Sequence, residues 1–302
     1  MRLEGLHHVT AITADAPGNV AFYTETLGLR FVKKTVNYDA PDVYHLYYGD
    51  EQGSPGSIMT FFEFPGAAQG RHGAGMIHTV AWRVGSRAAL DFWAERLEHA
   101  GRPVERSERS LRSSDPEGIG IELVVADVAD APLAAAAPDI AREHALQGFD
   151  GVRAYAAEPE HSARLLSALG FAGGEVSGAA RRARYVYDPA PSAHGLQGAG
   201  SVHHVAWASR DQDHAAWRDV AREGGAHPTP IIDRTYFRSI YFREPSGVLF
   251  EIATLSPGFA VDEPADRLGE SLVLPAQHEH LRDRLERTLT PVTNPRERAA
   301  AG

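Results

Sequence analysis

Two histidine pairs, His7-His8 and His203-His204, and two glutamates set in apolar runs are the residues of this chain best placed to do chemistry. The glutamates are Glu122 in Ile-Gly-Ile-Glu-Leu-Val and Glu251 in Val-Leu-Phe-Glu-Ile-Ala. A carboxylate in such a run is costly to bury unless it is paired or coordinates a metal. The chain has 302 residues and no cysteine. That excludes a thiolate nucleophile, a disulfide framework, an iron–sulfur cluster and a zinc–thiolate site. Any metal must therefore use His, Asp or Glu, and 15 histidines are available.

The elements that must position these residues recur along the chain. Leu6-His-His-Val-Thr-Ala-Ile12, Met76-Ile-His-Thr-Val-Ala-Trp82 and Ser201-Val-His-His-Val-Ala-Trp207 share one strand-like pattern, and Gly148-Phe-Asp-Gly-Val-Arg-Ala-Tyr155 is a more worn copy. After each comes a stretch with apolar residues at three- and four-residue spacing, which predicts helices over 17–27, 86–97, 159–169 and 211–223. Glycines stop them: Gly28, Gly101, Gly170 and the pair Gly224-Gly225. Shorter strand-like runs follow, joined by turns such as Ser54-Pro-Gly56, Asp115-Pro-Glu-Gly118 and Glu244-Pro-Ser-Gly247. The chain thus reads as α+β, with four βαβββ modules paired into two half-barrel domains, because a single module leaves an open sheet edge. Modules one and two fall within residues 1–140 and modules three and four within 141–260. A C-terminal helix and tail occupy 261–302.

Strand alternation sorts the histidines. His7, His78 and His203 share the phase of Val9, Val80, Val205, Trp82 and Trp207, which reads as the packing face. His8, Thr79 and His204 take the other face, toward a cavity. The fourth residue beyond each turn glycine is Thr60, Glu122 or Glu251. Glu122 reads as a strand-edge or arginine-paired glutamate, since Thr79 leaves its module no histidine. Only the pairing of module one with module four completes a ligand set: His8, His204 and Glu251, with Thr60 at a vacant fourth place. Two imidazoles and one carboxylate with open positions suit a non-haem Fe(II) oxygenase. A satisfied structural histidine is the alternative for any one of them alone.

Composition narrows the partners. Thirty basic against forty acidic residues give a formal net charge of −10, which disfavours nucleic acid. No apolar run approaches the ~20 residues of a membrane span, and the N-terminus lacks a signal-peptide pattern. A soluble, cytoplasmic protein acting on a small molecule is expected.

The repeat, over residues 5 to about 260, resembles the vicinal oxygen chelate superfamily, which includes glyoxalase I, bleomycin-resistance proteins and extradiol ring-cleaving dioxygenases. Further segments resemble the para-hydroquinone ring-cleaving dioxygenases within it: Phe31 to Asp39, Tyr44 to Tyr48, Gly53 to Thr60, Glu143 to Phe149, Arg234 to Tyr241, Gly247 to Glu251, Asp262-Glu-Pro and Leu268 to Leu272. The resemblance implies Fe(II), with Mn(II) as the other ion to consider, on His8, His204 and Glu251. It also implies catalytic roles for His7, Thr10, His203, Arg234 and Tyr241, and a hydroquinone-type substrate cleaved with O2. Tyr241 is expected across the ladder from Glu251. Alternative readings are a catechol-type extradiol dioxygenase with the same triad, or a metal-free binding protein of the bleomycin-resistance kind. A glyoxalase-like isomerase fits less well, because that chemistry usually employs four protein ligands. A helix over about 278–289 could cover the cavity or a subunit contact, which leaves a homo-oligomer open, and the polar tail beyond it is expected to fray.

Overall fold

The computed structural model describes residues 1–296, and each repeat appears in it as a strand, a helix and a return of further strands. Module one contains β1 (Leu6–Thr13), α1 (Ala16–Val20), β2 (Arg30–Val36), β3 (Tyr44–Gly49) and β4 (Ile58–Glu63). Module two contains β5 (Met76–Val84), α2 (Arg87–His99), β6 (Glu105–Arg106), β7 (Ser110–Ser114) and β8 (Gly120–Val125). Module three contains β9 (Phe149–Ala156), α3 (Ala163–Ala168), β10 (Glu175–Ser177) and β11 (Arg182–Pro189). Module four contains β12 (Val202–Ser209), α4 (His214–Glu223), β13 (Ile232–Asp233), β14 (Arg238–Arg243) and β15 (Leu249–Thr254). Module three is one strand short of the expected pattern: only two strands follow its helix.

The helices begin near the expected places but are less regular. Asp15 caps α1 by accepting from the Gly18 N–H at 3.1 Å, and the coil then widens into a π-helical turn over Ala21–Thr26. There the Thr24 hydroxyl bonds back to the Val20 carbonyl, a competitor for the helical ladder. Gly28, at φ +69°, ends the segment in the left-handed region that a side chain disfavours. In module two Ser86 caps α2 through Ala89, and Ala89, Leu90, Trp93 and Leu97 form its buried stripe. Modules three and four open with 3-10 turns at Pro159–Ser162 and Asp211–Asp213 before α3 and α4.

Two sheets result. The larger has the order β13-β14-β15-β12-β1-β4-β3-β2, and the smaller β10-β11-β9-β5-β8-β7-β6. In the first, module four joins module one through antiparallel β1 and β12. In the second, module three joins module two through antiparallel β9 and β5. Each sheet therefore takes one module from either side of residue 140. Within a module the first and last strands run parallel, as in β1 with β4 and β12 with β15. This places the cavity-facing residues of modules one and four on one surface.

The ladders contain a regular flaw. Between β1 and β12, Leu6 pairs with Trp207 and His8 with Ala206, while Thr10 pairs with His204 and Ala11 with Val202. His7 and His203 are thus the skipped residues of two matching β-bulges. The smaller sheet repeats the feature, skipping His78 and Asp150. A bulge breaks strict alternation and re-aims side chains.

Beyond β15 the chain returns along β2, with Val273 N–H bonded to the Lys34 carbonyl. The expected terminal helix is split into a 3-10 turn, Ala276–Leu281, and α5 (Arg282–Thr288). The end of the tail expected to fray, residues 297–302, lies outside the described residues. Among the described residues no helix is long and apolar enough to cross a membrane.

Candidate metal centre

His8 on β1, His204 on β12 and Glu251 on β15 meet at the floor of the larger sheet. The Nε2 atoms of the two histidines are 3.2 Å apart, and Glu251 Oε2 lies 3.2 Å from His8 Nε2 and 3.0 Å from His204 Nε2. All three residues are buried, Glu251 completely. Among the described residues, this is the group of three His or acidic side chains whose ligand atoms come close enough to share a metal ion.

The hydrogen bonds assign the protons. Burial, and then His8 beside it, lower the pKa of His7 to about 3, so its ring is neutral at neutral pH. His7 Nε2 lies 3.1 Å from the Thr254 carbonyl, which can only accept, so the His7 proton sits on Nε2. His7 Nδ1 is then an acceptor, and His8 Nδ1, 2.9 Å away, must donate to it. His8 Nε2 is left with a lone pair aimed at the other two ligand atoms. His203 stands in the same relation to His204, Nδ1 to Nδ1 at 2.8 Å, and burial followed by His204 lowers its pKa to about 4. Burial also lowers His204. Glu251 is buried beside both imidazoles. Its Oε1 accepts from the Ser239 hydroxyl, whereas Oε2 has no hydrogen-bond donor.

Three lone-pair donors converging in a buried place repel one another unless a cation lies between them. With bonds of about 2.1 Å, neighbouring ligands stand about 3.0 Å apart around an octahedral ion and about 3.4 Å apart around a tetrahedral one. The observed 3.0–3.2 Å edges fit three adjacent octahedral positions, which leaves the other face for exogenous ligands. The donor set thus fits a divalent first-row ion.

Above the triad lies a cavity of about 760 Å³, into which His8, His204 and Glu251 open together with His45, Tyr47, His203, Arg234 and Tyr241. A sequence profile described as the Glyoxalase/Bleomycin resistance protein/Dioxygenase superfamily matches residues 5–123 and 135–252. The chain belongs to that superfamily.

Within the superfamily it groups with ring-cleaving dioxygenases. It is 39% identical over 304 residues to MhqO of Bacillus subtilis, provisionally named a ring-cleaving dioxygenase, covering 95% of this chain and 96% of that one. It is 36% identical over 313 residues to the chlorohydroquinone/hydroquinone 1,2-dioxygenase of Sphingobium indicum, covering 95% and 96%. A crystal structure of a Bacillus subtilis protein provisionally named a dioxygenase superposes with TM-score 0.87 at 37% identity, covering 96% of this chain and 97% of that one. Glyoxalase I of Zea mays, as a point mutant, matches at TM-score 0.58 and 15% identity over 83% of this chain and 92% of its own, a likeness of fold alone.

The superfamily fold brings most of the residues singled out in the sequence to one place, with instructive exceptions. Tyr241 pairs directly with Glu251 across β14 and β15, and its hydroxyl lies 3.2 Å from Arg234 Nε. Arg234 is held over the rings of Tyr38 and Tyr241 and reaches Asp39 at 3.3 Å. Thr60 occupies the register position in module one that Glu251 occupies in module four, opposite Thr10 rather than Ala206. Glu122 is paired as expected, with Arg112 at 3.2 Å and Arg153 at 3.7 Å.

Simple alternation misplaces His7 and His203. The bulges turn both toward the ligand histidines instead of the packing face, and His203 lines the cavity. His7 is sealed behind His8, against Phe237. Thr10 also lies behind the surface, receiving a hydrogen bond from the Thr60 hydroxyl at 2.9 Å. His45 and Tyr47 were not singled out for chemistry. Tyr47 Oη is 2.7 Å from His45 Nδ1, and His45 Nε2 is 2.8 Å from Thr60 Oγ1, so a chain runs from the cavity wall to Thr10. Their shared phase, with Leu46 and Tyr48 buried in the core between and beyond them, was the available signal. The expected terminal helix does not line the cavity along its length. Val273, Leu274, Pro275 and Ala276, at and before its start, do so.

Proposed function

We propose that the protein is an Fe(II)-dependent dioxygenase that cleaves the ring of hydroquinone-type aromatics. The observation that carries this reading is the buried triangle of two imidazole nitrogens and one carboxylate oxygen at the floor of an aromatic-walled cavity. His8, His204 and Glu251 would hold the iron. When bound, the ion supplies a Lewis acid that acidifies a coordinated phenol and a redox centre that engages O2. Mn(II) is the other ion that this donor set accepts.

The chain's own residues have defined tasks. His7 and His203 keep the ligand imidazoles in the tautomer that offers Nε2. With its Nδ1 accepting from His204, His203 carries its proton on Nε2, next to the cavity, where it exchanges protons with the ring hydroxyl. Tyr241 is un-ionised, because burial and then Glu251 raise its pKa, so it is the phenol able to donate a proton as charge develops. Arg234, fixed between two tyrosine rings, supplies positive charge to an anionic substrate oxygen. A para-diol cannot chelate through both oxygens, so it binds through one. Cleavage between the hydroxylated carbon and its neighbour takes up both atoms of O2 and yields a hydroxymuconic semialdehyde.

Oxygen uptake by the protein loaded anaerobically with Fe(II) tests this reading. Hydroquinone should be consumed in preference to catechol, with one O2 per ring. His8→Ala, His204→Ala and Glu251→Ala should each lose both iron and activity, while Glu122→Ala keeps both. Iron retained by His8→Ala would refute the ligand set, and preference for catechol would favour the ortho-diol alternative.

A further inference from the structure

We infer that the cavity selects a neutral hydroquinone bearing a bulky apolar substituent, rather than an unsubstituted or carboxylated one. The inference rests on the hydroquinone reading above and deepens it. A single benzene ring is accommodated in a cavity of about 150 Å³, so the observed 760 Å³ is roughly five times what one ring needs. The surplus lies in the range of pockets that bury much larger ligands, about 300–1,000 Å³.

The character of the surplus space is set by three parts of the chain. Phe62 and Phe64, from the end of β4 and the turn beyond it, supply one wall. Ile232 on β13 and Leu249 on β15 supply a second. Val273 and Leu274 of the returning C-terminal segment supply a third. These side chains have no polar atom to satisfy a charged or hydroxylated substituent. Phe64 and Ile232 keep part of their surface in solvent, so an apolar ligand group would bury apolar surface of its own and of the protein.

Charge argues against an anionic substituent. Among the described residues Arg234 is the one Lys or Arg side chain that lines the cavity, and its charge serves the reacting substrate oxygen and Asp39, which leaves no second cation for a charged substituent. Asp39, Glu251 and Asp262 also line the cavity, so a substituent carboxylate would enter a space that already holds three acidic side chains against one arginine. Asp262 is itself bound by Lys33 and by the Tyr236 hydroxyl.

Each additional buried methylene should tighten binding by about threefold to fourfold. The probes are hydroquinone, tert-butylhydroquinone, phenylhydroquinone and 2,5-dihydroxybenzoate. Their affinities are measured by calorimetry without oxygen, and kcat/KM by oxygen uptake on the Fe(II)-loaded protein. The two apolar derivatives should bind at least tenfold more tightly than hydroquinone, and 2,5-dihydroxybenzoate more weakly than hydroquinone. Ile232→Trp and Ala276→Phe, which place bulk in the cavity from a half-buried and an exposed position, should each lower the preference for phenylhydroquinone over hydroquinone at least tenfold. Equal or weaker binding of the apolar derivatives, or preference for the carboxylate, overturns the inference. Tight binding of phenylhydroquinone without cleavage of any probe would leave the inference standing and defeat the proposed activity.

Discussion

At the scale of single residues, His7 shows how one buried side chain acts through another. Its Nε2 is committed to the Thr254 carbonyl, so its Nδ1 can only receive the His8 proton. Replacing His7 with Ala removes that acceptor and leaves the His8 tautomer free to change. Metal affinity should fall by about 10- to 100-fold, as read by competition with a chelator of known affinity. Unchanged affinity would mean that His8 is oriented by its strand alone. That His8, His204 and Glu251 come together was legible in the sequence, because comparing equivalent module positions isolates these three residues. His7 and His203 were not. Their direction depends on bulges, which appear only when two strands distant in sequence are laid side by side.

A second residue makes a prediction in pH. Asp115, buried in the turn before β8, accepts from the Glu117 and Ile119 N–H groups through one oxygen and from the Tyr23 hydroxyl through the other. Burial nevertheless dominates and raises its pKa from 3.8 to about 6. A carboxyl with a raised folded pKa holds its proton more tightly in the native state. Its stabilising contribution is therefore complete below pH 3.8 and is lost as the pH rises through 6. The loss amounts to at most about 3 kcal/mol. Asp115→Asn keeps an oxygen for the two backbone donors and has an amide for Tyr23. Its stability relative to the parent should rise between pH 4 and 7 in urea titrations. A difference that stays flat across that range would show that Asp115 is not penalised by burial.

At the scale of elements, the order of strands and helices was readable from spacing and punctuation, while their regularity was not. The π turn after α1 coincides with the Thr24 hydroxyl bonding to the Val20 carbonyl, a side-chain contact that hydrophobic periodicity does not register. Module three's missing strand likewise leaves the first-strand pattern intact. The returning C-terminal segment shows a similar limit. Lys33 on β2 is fully buried and touches both Asp262 and Glu263 at 2.5 Å, and Glu263 also accepts from Ser271 N–H. The sequence shows a lysine in a strand and an acidic pair more than two hundred residues later, with nothing to connect them. Removing one partner of a buried ion pair strands the other, at a cost of about 3–5 kcal/mol. Lys33→Met should thus lower the melting temperature clearly, and adding Glu263→Gln should restore part of the loss. If the double variant is no more stable than Lys33→Met, stranded charge on Glu263 is not the source of the cost.

At the scale of the whole molecule, the triad ties together segments near opposite ends of the chain. His8 and His204 sit on the two strands that join module one to module four, and Glu251 lies on the strand beside β12. The β1–β12 pairing is what brings the three side chains together, since neither the first two modules nor the last two hold two such histidines and a glutamate. Pairing at that distance would make a metal held there a clamp on the folded state, because an unfolded chain does not hold these three side chains together. By mass action a ligand that binds only the native form stabilises it by about 2.7 kcal/mol at one hundred times its dissociation constant. Under anaerobic conditions Fe(II) or Mn(II) should therefore raise the melting temperature by several degrees in the parent. Glu122→Ala should show the same rise, because Arg112 and Arg153 pair that carboxylate in the other sheet. Glu251→Ala and His204→Ala should show almost none. A similar rise in His204→Ala would mean that the stabilising ion sits elsewhere, and that the junction of modules one and four is not the place the metal holds.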